Sequence, residues 1–116
     1  MNIEEIQSFC NSLPGVTEDV KWGHDLVFSI TAKMFCVVAL SGTPTTASFK
    51  VPDEEFDEIS NREGFKPAPY MARHKWVYID DIGKIKKAEW KKFLRQSYDL
   101  VSQKLPAKTK KQFGIS

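Results

Sequence analysis

Apolar residues recur at helical spacing near the start of the chain. They lie three or four positions apart, at Ile3, Ile6, Phe9, Cys10 and Leu13. Asn2 and Glu5 have the spacing of a capping box, in which each side chain accepts the backbone N–H of the other residue. Pro14-Gly15 ends the pattern, so we predict a first helix before that pair.

A longer helical pattern occupies the C-terminal third. From Ala88 onward, steps of about 100° place one set of side chains on a broad face: Trp90, Phe93, Leu94, Ser97, Tyr98, Leu100, Val101 and Leu105. Pro106 ends this predicted helix. The tail that follows either adds a further helical turn or frays.

The segment after the first helix has the composition and periodicity of strands. Two short strands are predicted in residues 20–30 around the turn Gly23-His24-Asp25, after a turn that contains residues 17–19. Residues 33–40 are apolar at both alternating sets of positions, which is typical of a central strand covered on both faces. Residues 47–51 form the next predicted strand.

Prolines and glycines divide the segment that follows. Pro52 opens a short helix that ends near Gly64. Residues 66–70 are expected to be irregular, because each of their two prolines lacks a backbone donor. Residues 76–79 form the last predicted strand, which Trp76 anchors.

The order of elements is therefore helix, several strands, helix, strand, helix. Short connections between strands favour antiparallel pairing. Such a sheet needs helices to cover one face. We predict a two-layer α+β fold over residues 1–116 as a single domain, with N-terminal, middle and C-terminal helices packed on an antiparallel sheet.

The composition and the N-terminal residues indicate where in the cell the protein is expected. Hydrophobic residues make up 41% and charged residues 28% of the chain, which is ordinary for a globular protein. No apolar run approaches the ~20 residues that cross a bilayer. Glu4 and Glu5 stand where a secretory signal needs basic and apolar residues. We expect a cytoplasmic protein without membrane contact.

The net charge of +2 conceals an asymmetry along the chain. Residues 1–81 hold 7 Lys/Arg against 13 Asp/Glu, whereas residues 82–116 hold 10 against 2. A basic C-terminal third attracts polyanions by counterion release, or it is a solvated helix surface. On charge alone, the solvated surface is the better explanation.

The common catalytic and nucleotide-binding motifs are absent from the sequence. Cys10 and Cys36 are too few for a zinc site and have apolar neighbours, which favours reduced core thiols. To bind a metal, His24 and His74 would have to converge with a carboxylate such as Asp25. We expect no enzymatic activity, no cofactor and no metal site.

Basic and aromatic side chains are interleaved in the stretch PAPYMARHKWVYID, residues 67–80. With two cations at strand ends, this stretch provides groups that could neutralise phosphates or stack on bases: Lys33, Lys50, Tyr70, Arg73, His74 and Lys75. The alternative is that these cations only keep a strand edge soluble.

The chain resembles the MmcQ/YjbR-like family of small bacterial proteins. The resemblance is carried, in order, by short matches along nearly the whole chain: Trp22-Gly23, Val27-Phe28, Lys33-Met34-Phe35, Phe49-Lys50-Val51, residues 67–76, residues 97–101 and Lys104-Leu105-Pro106. It implies a small fold similar to secretion-chaperone-like and CyaY-like domains, sometimes described as a double-wing DNA-binding fold. Val77-Tyr78 departs from the Asn-Thr pair that relatives often have there.

These observations lead to three hypotheses of different classes, of which the least favoured is an enzyme or small-ligand protein that would need a closed pocket converging on His24 or His74. The first is a monomeric, non-enzymatic protein that binds DNA weakly, with little base specificity because no recognition helix bearing Asn, Gln or Arg is evident. The second is a protein-interaction module that holds a partner on its sheet or final helix, as chaperone-like folds do, without binding nucleic acid.

Overall fold

The computed structural model describes residues 1–115. Its strands are β1 (Val16–Lys21), β2 (Asp25–Ile30), β3 (Lys33–Ala39), β4 (Ala47–Lys50), β5 (Phe65–Pro67) and β6 (Trp76–Ile79). Its α-helices are α1 (Ile3–Asn11), α2 (Phe56–Ser60), α3 (Lys87–Ser102) and α4 (Ala107–Gln112). The strands form one antiparallel sheet in the order β1-β2-β3-β4-β6-β5. The predicted α+β architecture is confirmed.

One hydrophobic core lies between the sheet and the helices. Helix α3 packs over β2, β3 and β4, while α1 lies against β1 and α2 against β5 and β6. The largest fully buried side chains are Trp90, Tyr98, Phe28, Phe35 and Phe49. The indole Nε1 of Trp90 donates a 2.8 Å hydrogen bond to the Ile82 carbonyl, so this polar atom is paired inside the core.

The predicted helix signals are confirmed with small shifts. Asn2 Oδ1 accepts the backbone N–H of Glu5 at 2.8 Å, and Glu5 Oε1 accepts that of Asn2 at 3.1 Å. The tail after Pro106 does form a further helix, α4. The middle helix is shorter than predicted, since α2 ends at Ser60 rather than near Gly64.

Both edge strands depart from the sequence prediction. Strand β1 includes residues 17–19, which were predicted to be a turn, and β5 includes two of the residues predicted to be irregular. Residues 17–20 of β1 are all exposed, so this strand lacks the alternation of apolar and polar residues by which a half-buried strand is recognised. Pro67 can lie in β5 because an edge position does not require its missing N–H.

A bulge changes the faces of the central strand. The register between β2 and β3 shifts so that Phe28 pairs with Cys36, while Ser29 pairs with Met34. Phe35 and Cys36 are consequently both buried in the core. On the other face Val37 and Ala39 are only half-buried, so the prediction that β3 is covered on both faces is wrong for that half of the strand.

Within residues 1–115, no helix combines the length and apolar character needed to cross a membrane.

Candidate functional site

Three strand ends meet at one end of the sheet. Lys33 begins β3, Lys50 ends β4 and Trp76 begins β6. Lys50 pairs with Trp76, and Lys33 lies at the same end of the sheet, three residues before Cys36, which pairs with Phe49. The C-terminal half of α3 and the turn that contains His74 border the same region. The fold therefore brings together Lys33, Lys50 and His74, which are far apart in the sequence.

These residues line a pocket of about 280 Å³, which we call the end pocket. Its apolar lining consists of Met34, Met71, Trp76, Leu100 and Val101. Its polar lining consists of Lys33, Lys50, His74 and Lys104. Trp76 is only 4% exposed, which confirms that it anchors its strand. The end pocket thus combines an apolar interior with several cationic groups.

Lys50 is the most constrained of these cations. Its ammonium group donates a hydrogen bond to the backbone carbonyl of His74. Burial lowers the pKa of Lys50, the ammonium groups of Lys104 and Lys75 lower it further, and the carboxylate of Asp53 opposes them. In the free protein, the charged form of Lys50 is therefore destabilised by burial and by neighbouring lysines. A bound anion would stabilise this charged form.

We define the basic cluster as Lys33, Lys50, His74, Lys75 and Lys104. Among residues 1–115, no side chain of the basic cluster lies within salt-bridge distance of a carboxylate. Four other cations are paired with carboxylates, among them Lys84 with Asp80 and Lys87 with Glu5, while further lysines of the described residues, such as Lys91 and Lys92, also lack such a partner. Cations that converge without a carboxylate form a positive potential suited to an external anion.

Backbone hydrogen bonds tie the loop of residues 68–75 to the sheet. The N–H of Ala68 donates to the Trp76 carbonyl at 3.0 Å, and the N–H of Val51 donates to the Lys75 carbonyl at 2.9 Å. Lys75 itself has a left-handed backbone, with φ of 64°, and its ammonium lies 5.1 Å from the Phe56 ring centroid. Non-glycine residues rarely adopt such a conformation, and those that do are enriched at functional sites.

Tyr70 and Arg73 do not line the end pocket. Tyr70 is 99% exposed and also left-handed, with φ of 66°, so its ring is presented to solvent one residue before Met71. Arg73 is exposed on the turn Ala72–His74. The six predicted binding residues therefore separate into four that belong to the basic cluster and two on the loop beside it.

Sequence reasoning missed several residues of this site. Lys104 was assigned only to a general basic third of the chain, and Leu100 only to the inner face of the last helix. The available signal was the predicted end of that helix at Pro106, which puts both residues in its final turns. Which end of the sheet those turns approach depends on tertiary packing, which has no local signal.

The two histidines lie at opposite ends of the sheet. His24 precedes β2 and its Nε2 lies 3.9 Å from Asp25 Oδ1, while His74 belongs to the basic cluster. No group of three or more His, Cys, Asp or Glu side chains in residues 1–115 could hold a metal ion. Cys10 and Cys36 are buried free thiols, as predicted. A hydrogen bond with Cys10 and burial raise the pKa of Cys36, which disfavours the reactive thiolate.

Ser97 couples α3 to the bulge and to Lys50. Its hydroxyl donates to the Phe35 carbonyl at 2.6 Å and accepts the backbone N–H of Lys50 at 3.0 Å. Ser97 is fully buried, so water cannot replace these bonds. A single side chain thus holds the neighbouring ends of β3 and β4 on the helix.

We expect Ser97→Ala to lower the free energy of unfolding by about 1–3 kcal/mol, because it removes a partner from the buried Phe35 carbonyl and from the part-buried N–H of Lys50. Urea denaturation measures the change. The matched control is Ser102→Ala, since Ser102 is equally buried but bonds only the Asp99 carbonyl, which keeps a backbone donor from Gln103. Equal losses in both variants would contradict the role assigned to Ser97.

The fold and this site define a small α+β protein with a cationic pocket at one end of its sheet. The YjbR family model matches residues 11–100, and the chain belongs to the YjbR family. No curated protein sequence matches it.

Two solved structures resemble the fold. A Deinococcus radiodurans protein with a DUF419 domain has a TM-score of 0.88 and 23% identity, over 99% of this chain and 89% of that chain. A Pseudomonas syringae protein has a TM-score of 0.72 and 16% identity, over 87% of this chain and 99% of that chain. At these identities the likeness shows the fold alone.

Proposed function

We propose that this protein is a non-enzymatic nucleic-acid-binding protein that contacts the phosphate backbone with its basic cluster. Arg73 adds a further cation on the adjoining loop, and Tyr70 provides an exposed ring for stacking. The protein is expected to act as a monomer with little base specificity.

The convergence of unpaired cations supports this proposal most directly. Three lysines and a histidine from separate parts of the chain line one pocket, and Lys75 lies near enough to Lys50 to depress its pKa. Folding places the ammonium groups of Lys50, Lys75 and Lys104 together at an electrostatic cost. An anionic ligand with several charged groups offsets that cost, and a phosphate backbone is such a ligand.

The absence of base specificity follows from where the cations lie. They come from strand ends, a tight turn and the residues that follow α3, so no helix presents a row of cluster side chains to a groove. Phosphate contacts position a protein on nucleic acid but carry no sequence information. A broad range of sequences should therefore bind with similar affinity.

Salt dependence tests the proposal. If about four phosphates are neutralised, the affinity for a short oligonucleotide should fall by roughly 100-fold between about 50 and about 200 mM salt. Fluorescence anisotropy with a labelled oligonucleotide of mixed sequence, repeated with a second unrelated sequence, measures this slope. An affinity that hardly changes over this range would rule out phosphate contacts.

One observation favours the protein-interaction alternative. Val20, Trp22 and Leu40 are large apolar side chains that are each about half exposed or more, and they lie at the end of the sheet opposite the basic cluster. Exposed apolar patches often mark protein contacts. Because this patch contains no cluster cation, a Trp22→Ser variant should bind oligonucleotides as the wild type does while losing any partner held there.

A further inference from the structure

We infer that the end pocket receives an unpaired base, so that the nucleic acid bound by the basic cluster is single-stranded. This inference rests on the proposed function and adds the form of nucleic acid to it. Its basis is the apolar interior of the pocket, which phosphate contacts alone do not explain.

The lining of the end pocket has two chemically different parts. Met34, Met71 and Leu100 are half-buried and present apolar surface, with Trp76 and Val101 beneath them. A phosphate group gains nothing from such surface, whereas a base ring does. Lys50 and Lys104 on the same lining can hold the phosphate attached to that ring.

A second, larger cavity continues from the end pocket. It has a volume of about 780 Å³ and shares Lys50, Leu100 and Lys104 with the end pocket. One of its walls is α3, which contributes the cations of Lys92 and Arg95 and the carboxylate of Asp99. The other is the segment after β4, which contributes Pro52 and the carboxylates of Asp53 and Glu54. The cavity has room for a nucleotide next to the one that enters the end pocket, provided that its phosphate lies toward Lys92 and Lys104 and away from these carboxylates.

A duplex cannot fill the end pocket without disrupting its own structure. Its bases are paired and stacked, and extruding one of them costs a few kcal/mol. The bases of a single strand are already unpaired, so inserting one of them into the pocket avoids most of this cost. The pocket therefore discriminates between the two forms although the basic cluster attracts both.

The test compares four probes of the full-length protein at one ionic strength: a short single strand, its duplex, an abasic strand of equal length, and a mononucleotide. We expect the single strand to bind about tenfold more tightly than either the duplex or the abasic strand, which keeps the phosphates but lacks the bases. The mononucleotide should bind much more weakly than the single strand, because it contacts only part of the cluster.

The variant Met71→Gln/Leu100→Gln makes the lining polar at nearly constant volume and charge. It should reduce single-strand affinity to the level of the abasic strand and leave the abasic affinity unchanged, which also shows that the variant folds. The control Val20→Gln/Leu40→Gln, at the opposite end of the sheet, should change neither.

The outcomes separate the two proposals. Equal affinity for single strand, duplex and abasic strand, with a steep salt slope, would overturn the base pocket and leave the phosphate-binding function intact. A mononucleotide that binds as tightly as the strand would also overturn it, because the ligand would then be a free nucleotide. Salt-independent binding, or none to any probe, would overturn both proposals.

Discussion

Lys50→Gln/Lys104→Gln should weaken oligonucleotide binding by about 100-fold. Each substitution removes one charged hydrogen-bonding group from the basic cluster, and the loss of one such contact typically corresponds to about a tenfold change in affinity. The slope of log affinity against log salt should also become shallower by about one for each lysine removed. Anisotropy titrations at several salt concentrations measure both quantities.

The matched control is Lys86→Gln/Lys91→Gln. It changes the net charge by the same amount, but Lys86 and Lys91 lie at the start of α3, and Lys91 is about 16 Å along the helix from its last residue, Ser102, which precedes Lys104 by two residues. If binding depended on net charge alone, both double variants would lose the same affinity. That result would contradict a localised phosphate site.

Stability measurements distinguish lost binding from lost folding. Lys104 depresses the pKa of Lys50 by repulsion in the free protein, so Lys104→Gln should raise that pKa. A lowered lysine pKa means that the folded state disfavours the charged form, so removing the repulsion by Lys104, while burial of Lys50 remains, should not lower the melting temperature. A large fall in melting temperature would show that Lys104 has a structural role that the repulsion does not reveal.

The helices and the central strand could be predicted because their signals are local. The capping box of α1, the apolar face of α3 and the apolar run of β3 each depend on residues close in sequence. The bulge in β3 could not be predicted in this way, since it depends on pairing with β2 and on the Ser97 hydroxyl. Strict alternation places Phe35 and Cys36 on opposite faces of β3, whereas the bulge buries both of them in the core.

The candidate site was predictable only as a set of residue types. Lys33 and Lys50 were recognised as strand-end cations, and His74 and Lys75 as part of a basic loop. Their meeting at one end of the sheet follows from the strand order, with β6 between β4 and β5, which no local pattern encodes. To predict that Leu100 lines the pocket, the packing of α3 on the sheet would also have to be known.

Trp90→Ala should destabilise the protein more than Ser97→Ala or any of the surface substitutions. Trp90 is fully buried, its ring lies 5.6 Å from the Phe49 centroid, and its Nε1 pairs the Ile82 carbonyl. Removing a buried tryptophan side chain typically costs about 3–5 kcal/mol. A domain of this size has a total stability of roughly 5–15 kcal/mol, so the melting temperature should fall by about 10 °C or more.

Two companion variants identify the cause. Trp90→Phe keeps most of the ring and loses the N–H, so its cost should be smaller, at about 1–3 kcal/mol for the unpaired Ile82 carbonyl and the lost volume. Trp22→Ala removes the same side chain from a site that is 62% exposed, and should change stability by less than about 0.5 kcal/mol. Trp90 is not part of the end pocket, so Trp90→Ala should lower oligonucleotide binding only in proportion to the fraction of protein that it unfolds. Equal melting temperatures for the Trp90→Ala and Trp22→Ala variants would mean that α3 is not held by its core face.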